Sequence, residues 1–212
     1  RVIYAEKVFG VEAQRPEGNG QYFEVVRHRD GHRFCLMLGL AGNYQRRNII
    51  TACAVADYLH EETPLTISRR AFVDGVRNVA ELTSLQGRWQ TIGTDPCIIC
   101  DTGHNAHGLK YVTEQLKASR YERLYCVLGF VKDKNLDEIL PLFPKEAYYI
   151  FTQAGVERAV AAADLAARAE TFGLHGETVD TVAKALERAK EMARPEDMIF
   201  VGGSTFVVAE VL

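Results

Sequence analysis

The sequence predicts an α/β protein: a mainly parallel sheet flanked by helices, preceded by a smaller segment of different texture. Three observations lead there. From residue 88 onward, short apolar runs ("PCIIC", "RLYCVLGF", "AYYIFTQ", "DMIFVGG") alternate with helical patterns. The runs are near-continuously apolar rather than alternating, as strands buried on both faces are. Ahead of them, residues 1–87 read as three strands followed by two helices.

In that first segment, residues 1–9, 20–28 and 33–38 are expected as strands. The polar "EAQRPEGNG" would connect the first two, and "RDGH" would form a tight hairpin turn between the second and third. "GNYQRRNIITACAVADYLH" predicts a helix with Asn43 as cap and Ile49, Ala52, Cys53, Ala56 and Leu59 along one stripe. A second helix, "SRRAFVDGVRNVA", has Ser68 as its cap, and the aperiodic "ELTSLQGR" then suggests a domain boundary near residue 87.

Beyond the boundary each strand is followed by a helix. "PCIIC" leads to a helix over 105–118, with Leu109, Val112 and Leu116 on one face and Asn105 as cap. "RLYCVLGF" leads to the short helix "NLDEILPLF", and "AYYIFTQ" to a helix over 161–172 that Gly173 ends. "GETV" is a short strand before a helix over 180–193, with Val182, Leu186, Ala189 and Ala193 inward. "DMIFVGG" is the last strand, and "STFVVAEVL" closes the chain. Parallel sheets bind ligands at the carboxyl ends of their strands. The polar stretches 101–105, 129–135, 152–158 and 202–204 should therefore gather on one edge.

Bulk properties narrow the function classes. With 212 residues, 47% of them apolar, the chain can bury a core of one or two domains. A net charge of −3 with scattered Lys and Arg gives no basic footprint for nucleic acid. No apolar run approaches the roughly eighteen residues that cross a bilayer, and no signal peptide opens the chain, so a cytoplasmic protein is expected. The opening "RVIYAEKVFG" starts in mid-pattern on Arg1, which suggests part of a longer protein. Five cysteines form no small secreted framework. Cys97 and Cys100 spell C-x-x-C, but in a strand residues three apart face opposite ways, which favours small buried hydrophobes over redox or zinc chemistry.

The residue types that carry chemistry cluster in "DTGHNAHG", directly after a strand. There is no G-x-G-x-x-G after a strand and no G-x-x-x-x-G-K-[ST], so the chain holds neither a dinucleotide fingerprint nor a loop able to cradle a triphosphate. The turn Gly202-Gly203-Ser204 reads either as a backbone anion site or as a tight strand exit. His104 and His107 with Asp101 read either as metal ligands or as a hydrogen-bonding and a solvated histidine. Arg88, at the inferred boundary, reads on its own as a solvated linker charge. Gln45 and Asn48, in a helix's first turn, are surface amides or nucleotide contacts.

Order along the chain adds to these signals. "GLAGNYQRRNIITACAVADYL", "QGRWQ", "DTGHNAHG", "VLGFVKDKNLDEIL", "RA" at 158–159 and "VGGSTFVVAEVL" together resemble the folylpolyglutamate synthase/dihydrofolate synthase family of ATP-dependent Mur-type amide ligases. The resemblance implies that 88–212 is a Rossmann-like C-terminal ligase domain on the glutamate side. Residues 1–87 would be the tail end of the central ATPase domain plus linker, with the P-loop and metal ligands upstream. ATP and Mg²⁺ would be used, with no metal ligand in this chain, and the small-molecule substrates would be folate or dihydropteroate and L-glutamate. The whole enzyme would be monomeric, and this chain alone inactive.

By the same resemblance, Asn48 is the adenine-side contact, Arg88 reaches the nucleotide phosphates, and Asp101 lies near the ribose. His104, Lys134 and Ser204 line the amino-acid side, with Lys132 competing for the role of Lys134; Arg88, His104 and Lys134 would be catalytic. The chain departs from the family pattern at Asn43, Thr102 and Ala106. A cell-wall Mur-type ligase shares reaction and fold, and a non-catalytic nucleotide-binding module shares the sheet. The "GRWQ" and "DTGHNAHG" forms favour the folate branch.

Overall fold

The computed structural model describes residues 2–212. The chain divides into two compact units, one ending at Gln86 and one spanning Gly87–Leu212.

The first unit opens with a helical turn, α1 (Ala5–Val8), and an antiparallel sheet of β1 (Phe9–Glu17), β2 (Gly20–Arg27) and β3 (His32–Leu38) in that order. This corrects the expected strand over 1–9, of which Arg1 lies outside the described residues. Most of "EAQRPEGNG", expected as a connection, is β1 itself. β1 is an edge strand with one solvated face, so its outward residues are polar, and an edge tolerates Pro16. Gly18, at φ +57°, makes the two-residue turn that closes β1 onto β2. Phe9 and Val11, Phe23 and Val25, and Leu36 and Leu38 alternate onto the buried face.

That face is covered by α2 (Gln45–Glu62) and α3 (Arg69–Arg77), through Ile49, Cys53 and Val76. The Ser68 hydroxyl accepts from the Ala71 amide at 3.1 Å and caps α3, as expected. Asn43 does not cap α2. The helix begins after Tyr44, and the Asn43 side chain instead accepts from Gln21 Nε2 at 3.3 Å. Ala52 lies on the exposed side of α2, outside the buried stripe. A short α4 (Val79–Thr83) occupies part of the expected connector.

The second unit holds a six-stranded sheet of order β4-β5-β9-β6-β7-β8. Its members are β4 (Gln90–Thr94), β5 (Cys97–Asp101), β6 (Leu124–Leu128), β7 (Tyr148–Phe151), β8 (Gly176–Thr178) and β9 (Met198–Gly202). All pairings are parallel except β4 with β5. Between the strands run α5 (Ala106–Ala118), α6 (Leu136–Ile139, continued by a 3₁₀ turn to Leu142), α7 (Ala162–Glu170) and α8 (Val182–Met192), with α9 (Thr205–Ala209) last. Every residue of β6 and β9 is buried, so both sheet faces are covered. α8 and α9 pack on one face, against Ile98, Cys100, Tyr125, Val127, Ile199 and Val201. No helix among the described residues is long and apolar enough to cross a membrane.

Candidate functional site at the strand carboxyl ends

The register of the parallel strands sets Asp101 of β5 against Gly202 of β9, and Gly202 against Leu128 of β6. Adjacent strands lie about 4.8 Å apart. The turns leaving them are thus neighbours on one edge, as the sequence suggests. Gly129 N donates to Gly202 O at 3.3 Å, and Lys132 N to Arg158 O at 2.9 Å, which ties together the exits of β6, β9 and β7. Gly203 has φ +91°, and a Cβ there would meet Gly129 O and the Phe130 ring at 2.8 Å each. The residue must be glycine for the exits to approach this closely.

Asp101 anchors the centre of the site. Its buried carboxylate accepts from the Trp89 amide at 2.8 Å through Oδ2 and from the Gly103 amide at 2.7 Å through Oδ1. It thereby clamps the turn entering β4 onto the turn leaving β5. Trp89 sits at φ +49°, a left-handed conformation costing about 1–2 kcal/mol for a non-glycine residue. The charge-assisted bond that Trp89 N donates to Asp101 and burial of the indole beside Phe200 offset that cost. Gly87, at φ +69°, donates to Gln90 Oε1 at 2.7 Å, and its carbonyl accepts from the Thr102 amide at 2.9 Å.

Arg88 lies inside this clamped turn, half-buried, with Nη1 hydrogen-bonded to Thr102 Oγ1. His104 Nδ1 is 3.0 Å from the Thr102 carbonyl, which can only accept, so Nδ1 carries a proton. A neutral ring then offers Nε2 as an acceptor. Asn105 caps α5 as expected, its Oδ1 accepting from the Gly108 amide at 2.8 Å. His107 stacks edge-on with Tyr111 at 5.4 Å. Arg88 and His104 thus both bond to Thr102, while Asp101 holds the backbone amides of their chain neighbours Trp89 and Gly103.

Ser204 is buried, and its hydroxyl caps α9 by accepting from the Phe206 amide at 3.2 Å. Lys134 pairs with Asp133 at 3.0 Å and, with Arg158 at 3.1 Å on the other oxygen, makes a small charged cluster. The Lys134 contact holds the Asp133 carboxyl below its usual range. Lys132 Nζ instead donates to the Glu157 carbonyl at 3.1 Å. Asn48 belongs to the first unit, where its amide donates to the buried Gln45 at 2.8 Å.

The sequence reading overlooked Thr102 as a link, Trp89 as a strained backbone position, and Thr152. The Thr152 Oγ1 is fully buried at the end of β7 without a hydrogen-bond partner among the described residues. Cys97 is half-buried and Cys100 buried, both as free thiols, and burial pushes the Cys100 thiol up to about 12. A further pocket of about 290 Å³ lies in the first unit among Phe9, Phe34, Phe72 and Val73. Of its charged lining residues, Arg27 and Asp57 pair with each other at 3.1 Å.

Comparison with known proteins shows the family of the chain. The family model described as Mur ligase, glutamate ligase domain matches residues 87–205. A probable bifunctional folylpolyglutamate synthase/dihydropteroate synthase of Haloferax volcanii is 31% identical over 195 residues, covering 91% of this chain and 22% of that protein. The dihydrofolate synthase/folylpolyglutamate synthase of Escherichia coli is 31% identical over 151 residues, covering 70% and 34%. The Mycobacterium tuberculosis folylpolyglutamate synthase complexed with ADP superposes with a TM-score of 0.78 at 22% identity, over 95% of this chain and 46% of that one. The chain therefore spans less than half the length of each of these three proteins. With the matched residues covering more than half of it, the chain belongs to the Mur ligase family, through the glutamate ligase domain, and its relatives are folylpolyglutamate and dihydrofolate synthases.

Proposed function

We propose that this chain is the C-terminal part of an ATP-dependent amide ligase that adds L-glutamate to folate, to dihydropteroate, or to both. Residues 1–87 are the remainder of a central ATP-binding domain with its linker, and 88–212 are the ligase domain. The observation that carries the reading is the grouping of Arg88 and His104 on Thr102, with Asp101 clamping the adjoining backbone, at the carboxyl end of a parallel strand. The whole enzyme is a cytoplasmic monomer.

The chemistry follows from the reactants. A carboxylate and an amine do not condense at neutral pH, so the carboxyl is first activated as an acyl phosphate by the γ-phosphoryl group of ATP. Charge builds on the transferring phosphoryl oxygens, and Arg88 is the cation in this chain that stabilises it. With ADP released in that step, the glutamate amine then attacks the acyl carbon as its free base, and the amide C–N bond forms as inorganic phosphate leaves. The glutamate carboxylates are held on the side of His104, Lys134 and Ser204, and His104 Nε2 is an acceptor for an amine proton. Asp101 keeps Arg88 in place and lies on the ribose side, and Asn48 faces the adenine. Water would hydrolyse the acyl phosphate, so the surrounding walls protect it as well as orient it. Magnesium belongs to this chemistry in the resemblance. However, no group of three or more His, Cys, Asp or Glu side chains among the described residues could hold an ion.

The test is Arg88→Lys in the full-length enzyme. Lysine keeps the charge and loses the planar fork. kcat should fall roughly ten- to a thousandfold, the range for losing one charge-stabilising donor, while the glutamate KM changes much less. A Lys variant with wild-type kcat would make Arg88 a linker residue only.

A further inference from the structure

Thr102 bonds to Gly87, Arg88 and His104, three residues around the strand exit. It is 8% exposed, and its one hydroxyl serves two partners. The hydroxyl hydrogen goes to the Gly87 carbonyl at 3.1 Å, and a lone pair receives Arg88 Nη1. A hydroxyl has one donor and two acceptor sites, so both bonds can hold at once. The first bond aims the lone pairs at the guanidinium. The methyl group also matters, because a Cβ at Gly87 would meet Thr102 Cγ2 at 2.6 Å. One side chain thus fixes both the backbone before Arg88 and the guanidinium after it.

The partner's chemistry is informative. Arg88 has no carboxylate partner among the described residues, although carboxylates pair with many of the other arginines. A carboxylate would orient the guanidinium but neutralise it and compete with an incoming anion. A neutral hydroxyl orients it and leaves the whole positive charge, and four of five N–H donors, for that anion. The bond also holds in advance a side chain that otherwise loses considerable rotamer freedom on binding.

We propose that Thr102 is a positioning residue that pre-orients Arg88 for an oxyanion of the transferring phosphoryl group. This rests on the reading of Arg88 given above. The experiment uses the full-length enzyme, with glutamate-dependent ADP release measured for Thr102→Val, Thr102→Ser, Arg88→Ala and the Thr102→Val/Arg88→Ala double variant. Valine keeps the shape and removes the hydroxyl. Its kcat should fall roughly three- to thirtyfold, the scale of one hydrogen bond to a charged group, with an unchanged glutamate KM. Serine should restore most of the rate. The double variant should be no slower than Arg88→Ala, because Thr102 acts through Arg88.

Wild-type kcat in Thr102→Val, or multiplicative losses in the double variant, would overturn the proposal while leaving the ligase reading intact. Wild-type kcat in Arg88→Ala would instead remove the role of Arg88 itself. Should the valine variant fail to fold, Thr102→Ala carries the same comparison.

Discussion

Asp101, like the buried Asp197, directs both carboxylate oxygens at backbone amides. Its two oxygens accept from Trp89 and Gly103, both within 2.8 Å, in a nearly water-free position. Asparagine would satisfy one amide with its carbonyl and present an N–H₂ group to the other. Two donors would then face each other where no water can intervene, at a cost of about 1–3 kcal/mol. Urea unfolding of Asp101→Asn should show a lower midpoint with an unchanged m-value. An unaltered midpoint would mean that the clamp between the β4 and β5 turns contributes nothing to the fold. Sequence alone marks Asp101 as chemically interesting, because a polar cluster ends an apolar strand. It does not reveal this use, because the partners are backbone amides with no sequence signature. Thr102 escapes notice for the same reason: its role depends on a glycine fifteen residues earlier in the chain.

At the level of elements, strongly periodic or capped segments are legible and weakly patterned edges are not. Ser68, Asn105 and Gly173 mark helix ends because each supplies a local hydrogen bond or a left-handed φ. β1 and β4 hide because both are edge strands, half-exposed and interrupted by a bulge, so neither shows an apolar run. The same period-2 logic separates the cysteines. Cys100 and Cys126 lie in the sheet interior and Cys53 under the first unit's sheet, and desolvation raises all three thiols far above neutrality. Cys35 points from β3 to solvent. Only a thiolate reacts readily. Native protein at pH 8 should therefore lose one thiol quickly to an alkylating reagent and the half-buried Cys97 slowly. Cys53, Cys100 and Cys126 should react only on unfolding. Fast labelling of Cys97 and Cys100 as a pair would revive the C-x-x-C redox reading.

For the whole molecule, the division at Gln86/Gly87 makes a claim about folding. The core of the second unit is drawn from its own strands and helices: Ile98 and Cys100 from β5, Tyr125 and Val127 from β6, Ile199 and Val201 from β9, Val182 to Ala189 from α8. The turn that begins it is tied down from within as well, since Gly87 and Trp89 bond to Gln90, Thr102 and Asp101. Nothing in that network needs residues before Gly87. A chain of this length buries roughly two-thirds of its unfolded surface, enough for an independent core. Residues 87–212 made alone should unfold in a single cooperative step, with an m-value of about 1–3 kcal/mol/M in urea. They should also keep Cys100 and Cys126 unreactive until they unfold. The full 212-residue chain, lacking a phosphate-cradling loop, should release no ADP in response to glutamate and folate. A broad, non-cooperative transition in the shorter piece would show that the parallel sheet needs the first unit to hold its packing. Glutamate-dependent ADP release by the chain would show that phosphate binding is built from residues other than a P-loop, which would move the centre of the chemistry onto the strand exits themselves.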